Sequence, residues 1–150
     1  MKVIDRFVGD YYFLSNFYPA QVWFEGAGYP SAEHAYVAAK TGDITIRRVI
    51  QRMTDASSVK KYGRNLRLRP DWNTYRLVAM ENIVRAKFTF NLDLAEQLVA
   101  TGSAELIEGN WWNDTFWGTC NEYGENHLGK ILMKIREELN AKHSDNRQVS

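Results

Sequence analysis

Cysteine is almost missing from this sequence of 150 residues, in which Cys120 stands alone. An internal disulfide is therefore excluded, and so is a cysteine-rich metal site. Histidine is nearly as scarce: His34, His127 and His143 follow neither H-x-x-x-H nor H-E-x-x-H spacing, so no dedicated metal site is expected. No apolar run approaches the ~20 residues that span a bilayer, and the opening M-K-V-I-D-R carries an acid too early for an export leader. The expectation is a cytoplasmic protein with no membrane segment. Excess charge is lacking too, because 19 Lys and Arg face 18 Asp and Glu, for a net +1. That excludes a generally basic surface for coating nucleic acid and leaves only local patches for polyanions.

Rings are plentiful, by contrast, with five Trp and eight Tyr in an aromatic content of 13%. Some of them fill the core, and the rest are available as a stacking surface. A chain of this length reads most simply as one domain, 1–150, burying about two-thirds of its unfolded surface. Short runs rich in β-branched and aromatic residues, Val3 to Val8 and Gln21 to Phe24, predict strands, with Glu25-Gly26 turning into a return at Ala27 to Tyr29. Helices are expected after Ser31, after Asp43 to about Met53, from Asp55 to Tyr62 with Gly63 as the stop, and from Asp71 to about Phe88. In the last of these, Leu77, Met80, Val84 and Phe88 are spaced to face a core. Asn91 is expected to cap the next helix, which ends at Gly102. Leu128, Ile131, Leu132, Ile135 and Leu139 form the clearest amphipathic stripe, and the tail 140–150 is polar and expected to fray. The fold class is thus mainly α, a helical core with a small N-terminal β element.

Five places in this frame are candidates to carry chemistry. In P-S-A-E-H-A-Y-V-A-A-K, Pro30 to Lys40, Ser31 as N-cap puts Glu33 on the first helical turn. Glu33, Val37 and Lys40 lie off the alanine-rich stripe, so Glu33 either complements the helix dipole or serves a site. The loop F-L-S-N-F-Y-P mixes rings with Ser15 and Asn16, which bind a ligand or satisfy nearby backbone. Lys60, Lys61, Arg64, Arg67 and Arg69 form an acid-free cationic run, a solvated face or a phosphate site in which Arg64 is the favoured member. Lys87, late in its helix, has the position of a residue that favours the C-terminal dipole. Finally E-G-N-W-W-N-D-T-F-W-G, Glu108 to Gly118, follows no helix or strand period and reads as a structured loop. Asp114 there sits among rings that either stack on a base or sugar or lock the loop into the core.

Read together and in order, L-S-N-F-Y-P-A, Y-P-S-A-E-H-A, G-R, D-W, A-K-F, T-G, N-D-T-F-W-G and G-E-N-H-L-G-K-I-L-M-K-I-R closely resemble the YbiA-like N-glycosidase family, also called NADAR. The resemblance covers about residues 13–136. It implies a mainly α fold and hydrolysis of N-glycosidic bonds, with substrates that include phosphoribosylated pyrimidine intermediates of riboflavin synthesis and ADP-ribosylated guanine. It also implies that Glu33 and Asp114 are catalytic and that Asn16, Arg64, Trp72, Lys87, Trp117 and Asn126 bind substrate. No metal or organic cofactor is implied. The implied partners are a ribosyl-phosphate or ADP-ribosyl compound, including ADP-ribosylated nucleic acid. T-C-N-E-Y, Thr119 to Tyr123, departs from the glycine-richer segment of relatives, which leaves the edge of the site and the choice of substrate open. Two other classes stay open beside the enzyme: a module that reads ADP-ribose without cleaving it, and a domain whose Trp-rich loop docks a protein. Two acids among phosphate-binding cations weigh against both, since they weaken anion affinity.

Overall fold

The computed structural model describes the backbone of residues 2–149 and the side chains of residues 2–142. In chain order the elements are β1 (Val3–Ile4), a 3-10 turn (Gly9–Leu14), β2 (Pro19–Phe24), β3 (Ala27–Ser31), α1 (Ala32–Ala39), α2 (Ile44–Arg52), α3 (Ala56–Gly63) and α4 (Trp72–Phe90). They continue with α5 (Leu92–Ala100), β4 (Glu105–Leu106), β5 (Gly109–Asn110), β6 (Thr119–Cys120) and α6 (His127–Val149). The molecule is mainly α with a small β component. Its backbone contacts divide it into two compact units, Asn16–Asn91 and a discontinuous one of Met1–Ser15 with Leu92–Ser150.

In the Asn16–Asn91 unit, β2 and β3 form an antiparallel hairpin with Val22 opposite Tyr29 and Phe24 opposite Ala27. Its two-residue turn places Glu25 and Gly26 at φ +48° and +82°, the left-handed geometry that matches the twist of the flanking strands. Strand alternation buries Val22, Phe24 and Tyr29 and leaves Gln21 and Trp23 outside. Helix α1 is almost wholly buried, since α2, α3, α4 and the hairpin all pack on it, and its small Ala32, Ala35, Ala38 and Ala39 permit that close approach. Helix α4 packs against β2 and α1 through Met80, Ile83, Val84 and Phe88. Leu77 does not join this stripe as its spacing predicted, because no described element covers that turn and 37% of it stays exposed.

In the other unit, β1 pairs in parallel with β4, Val3 opposite Glu105, and β5 with β6, Gly109 opposite Thr119. The strand expected over Val3 to Val8 is therefore confined to Val3–Ile4, beyond which the chain turns into the 3-10 segment. Leu128, Ile131, Leu132 and Ile135 of α6 are buried as the stripe predicted. The tail expected to fray from Asn140 continues instead as helix to Val149, while its side chains beyond Lys142 lie outside the described residues.

Candidate active site

In the Asn16–Asn91 unit the start of α1 is fastened on every side. Ser31 is extended, and its Oγ accepts the His34 backbone N–H at 3.1 Å, the expected N-cap. The His34 ring lies 2.6 Å from Ser31 Oγ through Nδ1 and 2.9 Å from the Met53 carbonyl through Nε2. A carbonyl only accepts, so Nε2 carries the proton and Nδ1 accepts from the serine hydroxyl. Burial pushes the His34 pKa down, which keeps this buried ring neutral. His34 is a fastener. Glu33, next to it and half-buried, donates its backbone N–H to the Asn16 carbonyl at 3.0 Å. Asn16 in turn points its Nδ2 at Met80 Sδ, 3.4 Å away, and so ties the loop to α4 as well as to the first turn of α1.

Cations and rings gather round that turn. The Lys40 ammonium lies 5.7 Å from the centre of the Tyr36 ring. Its pKa is pushed down first by burial and then by the nearby Arg64 and Lys60 cations, while the Glu33 carboxylate pulls it up. Lys60 lies 5.7 Å from the Phe17 ring centre, and Tyr36 packs on Trp72 with centroids 5.3 Å apart and planes at 49°. Lys87 is 1% exposed, with its ammonium 5.7 Å from the Tyr18 ring centre. Burial lowers its pKa from 10.5 to about 7. Loop 16–18 thus touches the backbone of Glu33, Lys60 and Lys87 with three successive residues. The unit brings Asn16, Glu33, Arg64, Trp72 and Lys87 into one neighbourhood.

Three local readings change. Gly63 does not stop α3 by a left-handed turn; it is the last helical residue, and a Cβ there would lie 2.9 Å from Val37 Cγ1, so glycine is required for helix packing. Asn91 caps the end of α4 rather than the start of α5, because its Nδ2 donates to the Lys87 carbonyl at 2.7 Å and to the Gln21 carbonyl at 2.9 Å. Lys87 is no surface dipole partner, since α4 turns it into the interior. Sequence reasoning left Lys40 and Tyr36 out of the candidate site, and Lys60 entered it only as one member of the cationic run. The signal for Lys40 was available, since it follows Glu33 by seven positions on one helical face.

The other unit holds Asp114, Trp117 and Asn126 in one loop whose polar side chains are largely committed to backbone. Asp114 Oδ1 accepts the N–H groups of Phe116 at 3.1 Å and Trp117 at 2.9 Å, while its Oδ2 makes no hydrogen bond among the described residues. Asn110 grips the same residue from both ends, accepting Asp114 N–H at 3.0 Å and donating to its carbonyl at 2.8 Å. Asn126 is buried at φ +52°, and its amide accepts Glu108 N–H at 2.9 Å and donates to the Leu106 carbonyl at 3.0 Å. Phe116 and Trp117 meet edge-on, centroids 4.7 Å apart, and Phe116 lies 4.5 Å from the His127 ring. Trp111 and Trp112, by contrast, are 86% and 45% exposed, so of the two readings of the loop's rings, locking into the core does not hold for these two. Among the described residues no three His, Cys, Asp or Glu side chains stand close enough to hold a metal, and no helix is long and apolar enough to cross a membrane.

A mainly α chain with short paired strands, a half-buried acid among cations and rings, and a Trp-rich loop on asparagine struts defines the class. The chain belongs to the NADAR domain family, whose model matches residues 6–140 and so runs through both units. It is 42% identical over 130 residues to the riboflavin biosynthesis protein VVA0006 of Vibrio vulnificus, covering 85% of this chain but only 35% of that protein. It is 35% identical over 133 residues to the N-glycosidase YbiA of Shigella flexneri serotype 5b, covering 87% of this chain and 82% of that one. The solved NMR structure of the E. coli protein YbiA superposes with a TM-score of 0.85 at 31% identity, over 95% of this chain and 87% of that chain.

Proposed function

We propose that this protein is an N-glycosidase that hydrolyses the bond between a ribosyl carbon and a base nitrogen in a phosphoribosyl or ADP-ribosyl compound. The observation that carries the reading is the half-buried Glu33 held at a fastened helix start, its carboxylate acting on the Lys40 ammonium, which Arg64 and Lys60 also influence and which lies over the Tyr36 ring that packs on Trp72. Cleavage passes through an oxocarbenium-like sugar, which a carboxylate stabilises while activating water, as carboxylates do in glycoside hydrolysis. In the proposed reaction water oxygen bonds to the anomeric carbon, the carbon–nitrogen bond breaks, and Glu33 takes the water proton. The departing nitrogen needs a proton in exchange. Lys87, with a pKa near 7, is suited to supply it, and this fits its burial better than phosphate holding does. Arg64 and Lys60 hold the phosphate, and Trp72 faces the base or ribose. Asp114, through its unengaged Oδ2, orders water or sugar hydroxyls, and Trp117 offers its ring to the substrate. Asn16 and Asn126 position backbone rather than touch the reacting atoms.

The two units work, in this reading, as one domain, supported by the single family model that runs through both. The names of the Vibrio and Shigella relatives support N-glycoside chemistry on a ribosylated compound of riboflavin synthesis or a similar one, and ADP-ribosylated guanine in nucleic acid has the same bond. A cytoplasmic setting fits the single free thiol of Cys120. The test is base release, followed by mass spectrometry, from the ribosylamino-pyrimidine phosphate and separately from guanine-ADP-ribosylated DNA. Glu33→Gln, confirmed folded, is expected to lose about 100-fold or more of the turnover. Turnover near that of the unaltered protein in Glu33→Gln overturns the assignment. Silence on both substrates with ADP-ribose still bound replaces it by the non-catalytic reader.

A further inference from the structure

Beside the hairpin turn of the Asn16–Asn91 unit lies a cavity of about 650 Å3 that includes none of the residues assigned above. It is lined by Glu25 of the turn, by Tyr29, by Arg47, Arg48 and Gln51 of α2, and by the Arg69–Asp71 segment. Pockets of this size accommodate metabolite-sized ligands. Three observations give it the character of a built site.

The first is an orphan. Tyr29 is 1% exposed and its hydroxyl has no hydrogen-bond partner among the described residues, although a buried phenol ordinarily finds one. The second is a charge surplus. Asp71 is occupied by Arg69, through bonds of 2.6 and 3.2 Å, and Glu25 accepts from Tyr75 Oη at 2.6 Å and faces Arg47 at 3.5 Å. Arg47 Nε is fixed on the Ala38 and Thr41 carbonyls at 3.1 and 2.9 Å, which aims its guanidinium rigidly along the wall. Arg48 makes no ion pair among the described residues. Three guanidiniums thus face two carboxylates that already have partners, and the surplus is positive. The third is a fixed wall. Glu25, at φ +48° as the hairpin turn demands, has its carboxylate held by Tyr75 and Arg47.

We propose that this cavity is a second binding site, for the phosphate of a small phosphomonoester, with Tyr29 Oη donating to one phosphate oxygen and the Arg47 and Arg48 guanidiniums meeting the others. Arginine suits that task because its planar donors match phosphate oxygens. The site does not depend on the N-glycosidase reading: it shares no lining residue with the Glu33 neighbourhood, and its ligand is bound without being cleaved.

The experiment is a titration of the isotope-labelled full chain with inorganic phosphate, ribose 5-phosphate and AMP, followed by backbone amide shifts. Phosphate is expected to move the amides of Gly26, Ala27 and Gln51, with Glu33→Gln binding as the unaltered protein does. Arg48→Ala, an exposed change that leaves the fold intact, is expected to weaken binding about 10-fold. Tyr29→Phe, which keeps the packing and removes only the hydroxyl, is expected to weaken it several-fold. Tighter binding of AMP than of ribose 5-phosphate identifies the ligand as a nucleotide, and equal binding identifies a sugar phosphate. Shifts confined to the amides around Lys60 and Arg64, or unchanged affinity in Arg48→Ala, overturn the proposal. These readouts stay informative whether or not the protein cleaves a glycoside.

Discussion

The neighbourhood of Glu33 and the loop around Asp114 use polar residues in opposite ways. Around Glu33, tight helix packing brings charges where they are unsettled: Lys87 sits in the interior of α4 with its pKa lowered to about 7, and Lys40 is pressed by burial and two further cations. Around Asp114, polar side chains settle a backbone that has little regular structure of its own. Asn110, Asp114 and Asn126 between them bond to Glu108, Leu106, Phe116 and Trp117, the groups that a strand ladder would otherwise satisfy. Perturbed titration belongs where chemistry is done, and side chains bonded to backbone belong to a scaffold. The contrast separates residues that resemble one another on paper. Glu33 and Asp114 are both acids in aromatic settings, yet one is held by its main chain with its carboxylate acting on the Lys40 ammonium, and the other uses one carboxylate oxygen as a loop clamp.

Changing Lys87 tests the contrast most severely. Lys87→Met keeps the stem and removes the amine, and turnover is expected to fall about 100-fold in a steady-state assay. The same variant has a signature in stability. Between pH 7 and 10.5 the unfolded lysine is protonated while the folded one is neutral, so the unfolded state binds more protons and stability rises with pH. The gain is at most ~1.4 kcal/mol per pH unit, and below pH 7 both states are protonated and it vanishes. Urea unfolding at pH 7 and pH 9 is expected to show this rise in the unaltered protein and its loss in Lys87→Met. An identical pH slope in both proteins would remove the distinction drawn for the Glu33 neighbourhood.

Asn126→Ala probes the scaffold side. It orphans the Glu108 N–H and the Leu106 carbonyl and leaves alanine at a positive φ, so a loss of about 2–3 kcal/mol is expected as a lowered Tm. A Tm within a degree of the unaltered protein would show that the loop does not rely on its struts. The smallest effect is expected from Asp114→Asn, which keeps an Oδ1 acceptor for Phe116 and Trp117 and should change stability by less than about 0.5 kcal/mol. Any fall in turnover in this variant then reports the carboxylate charge alone, and unchanged turnover confines Asp114 to the clamp.

Local rules written in the chain account for much of this structure. Ser31, Asp43 and Asp55 each accept the backbone N–H groups at the helix starts they were expected to cap, because capping depends only on residues a few positions apart. The Glu25-Gly26 turn and the α6 stripe are legible for the same reason. What failed required knowledge of distant partners. Gly63 reads as a helix stop until Val37 is seen against it, and Asn91 reads as a start cap until the Lys87 and Gln21 carbonyls are found at its amide. Lys40 and Tyr36 enter the candidate site only because α3 and α4 pack on α1.

By itself the sequence determined the absence of disulfides, the mainly helical class, the caps and the motif order that marks a NADAR domain, since composition and short-range spacing carry all of these. Tertiary structure alone decided that Lys87 is interior and titrates near neutrality, that Asn126 braces a loop, and that the Tyr29 hydroxyl, at an arginine-lined cavity, has no hydrogen-bond partner among the described residues. The physical reason is common to the three. Desolvation and hydrogen-bond satisfaction depend on which atoms exclude water from a group, and those atoms come from segments far away in the chain.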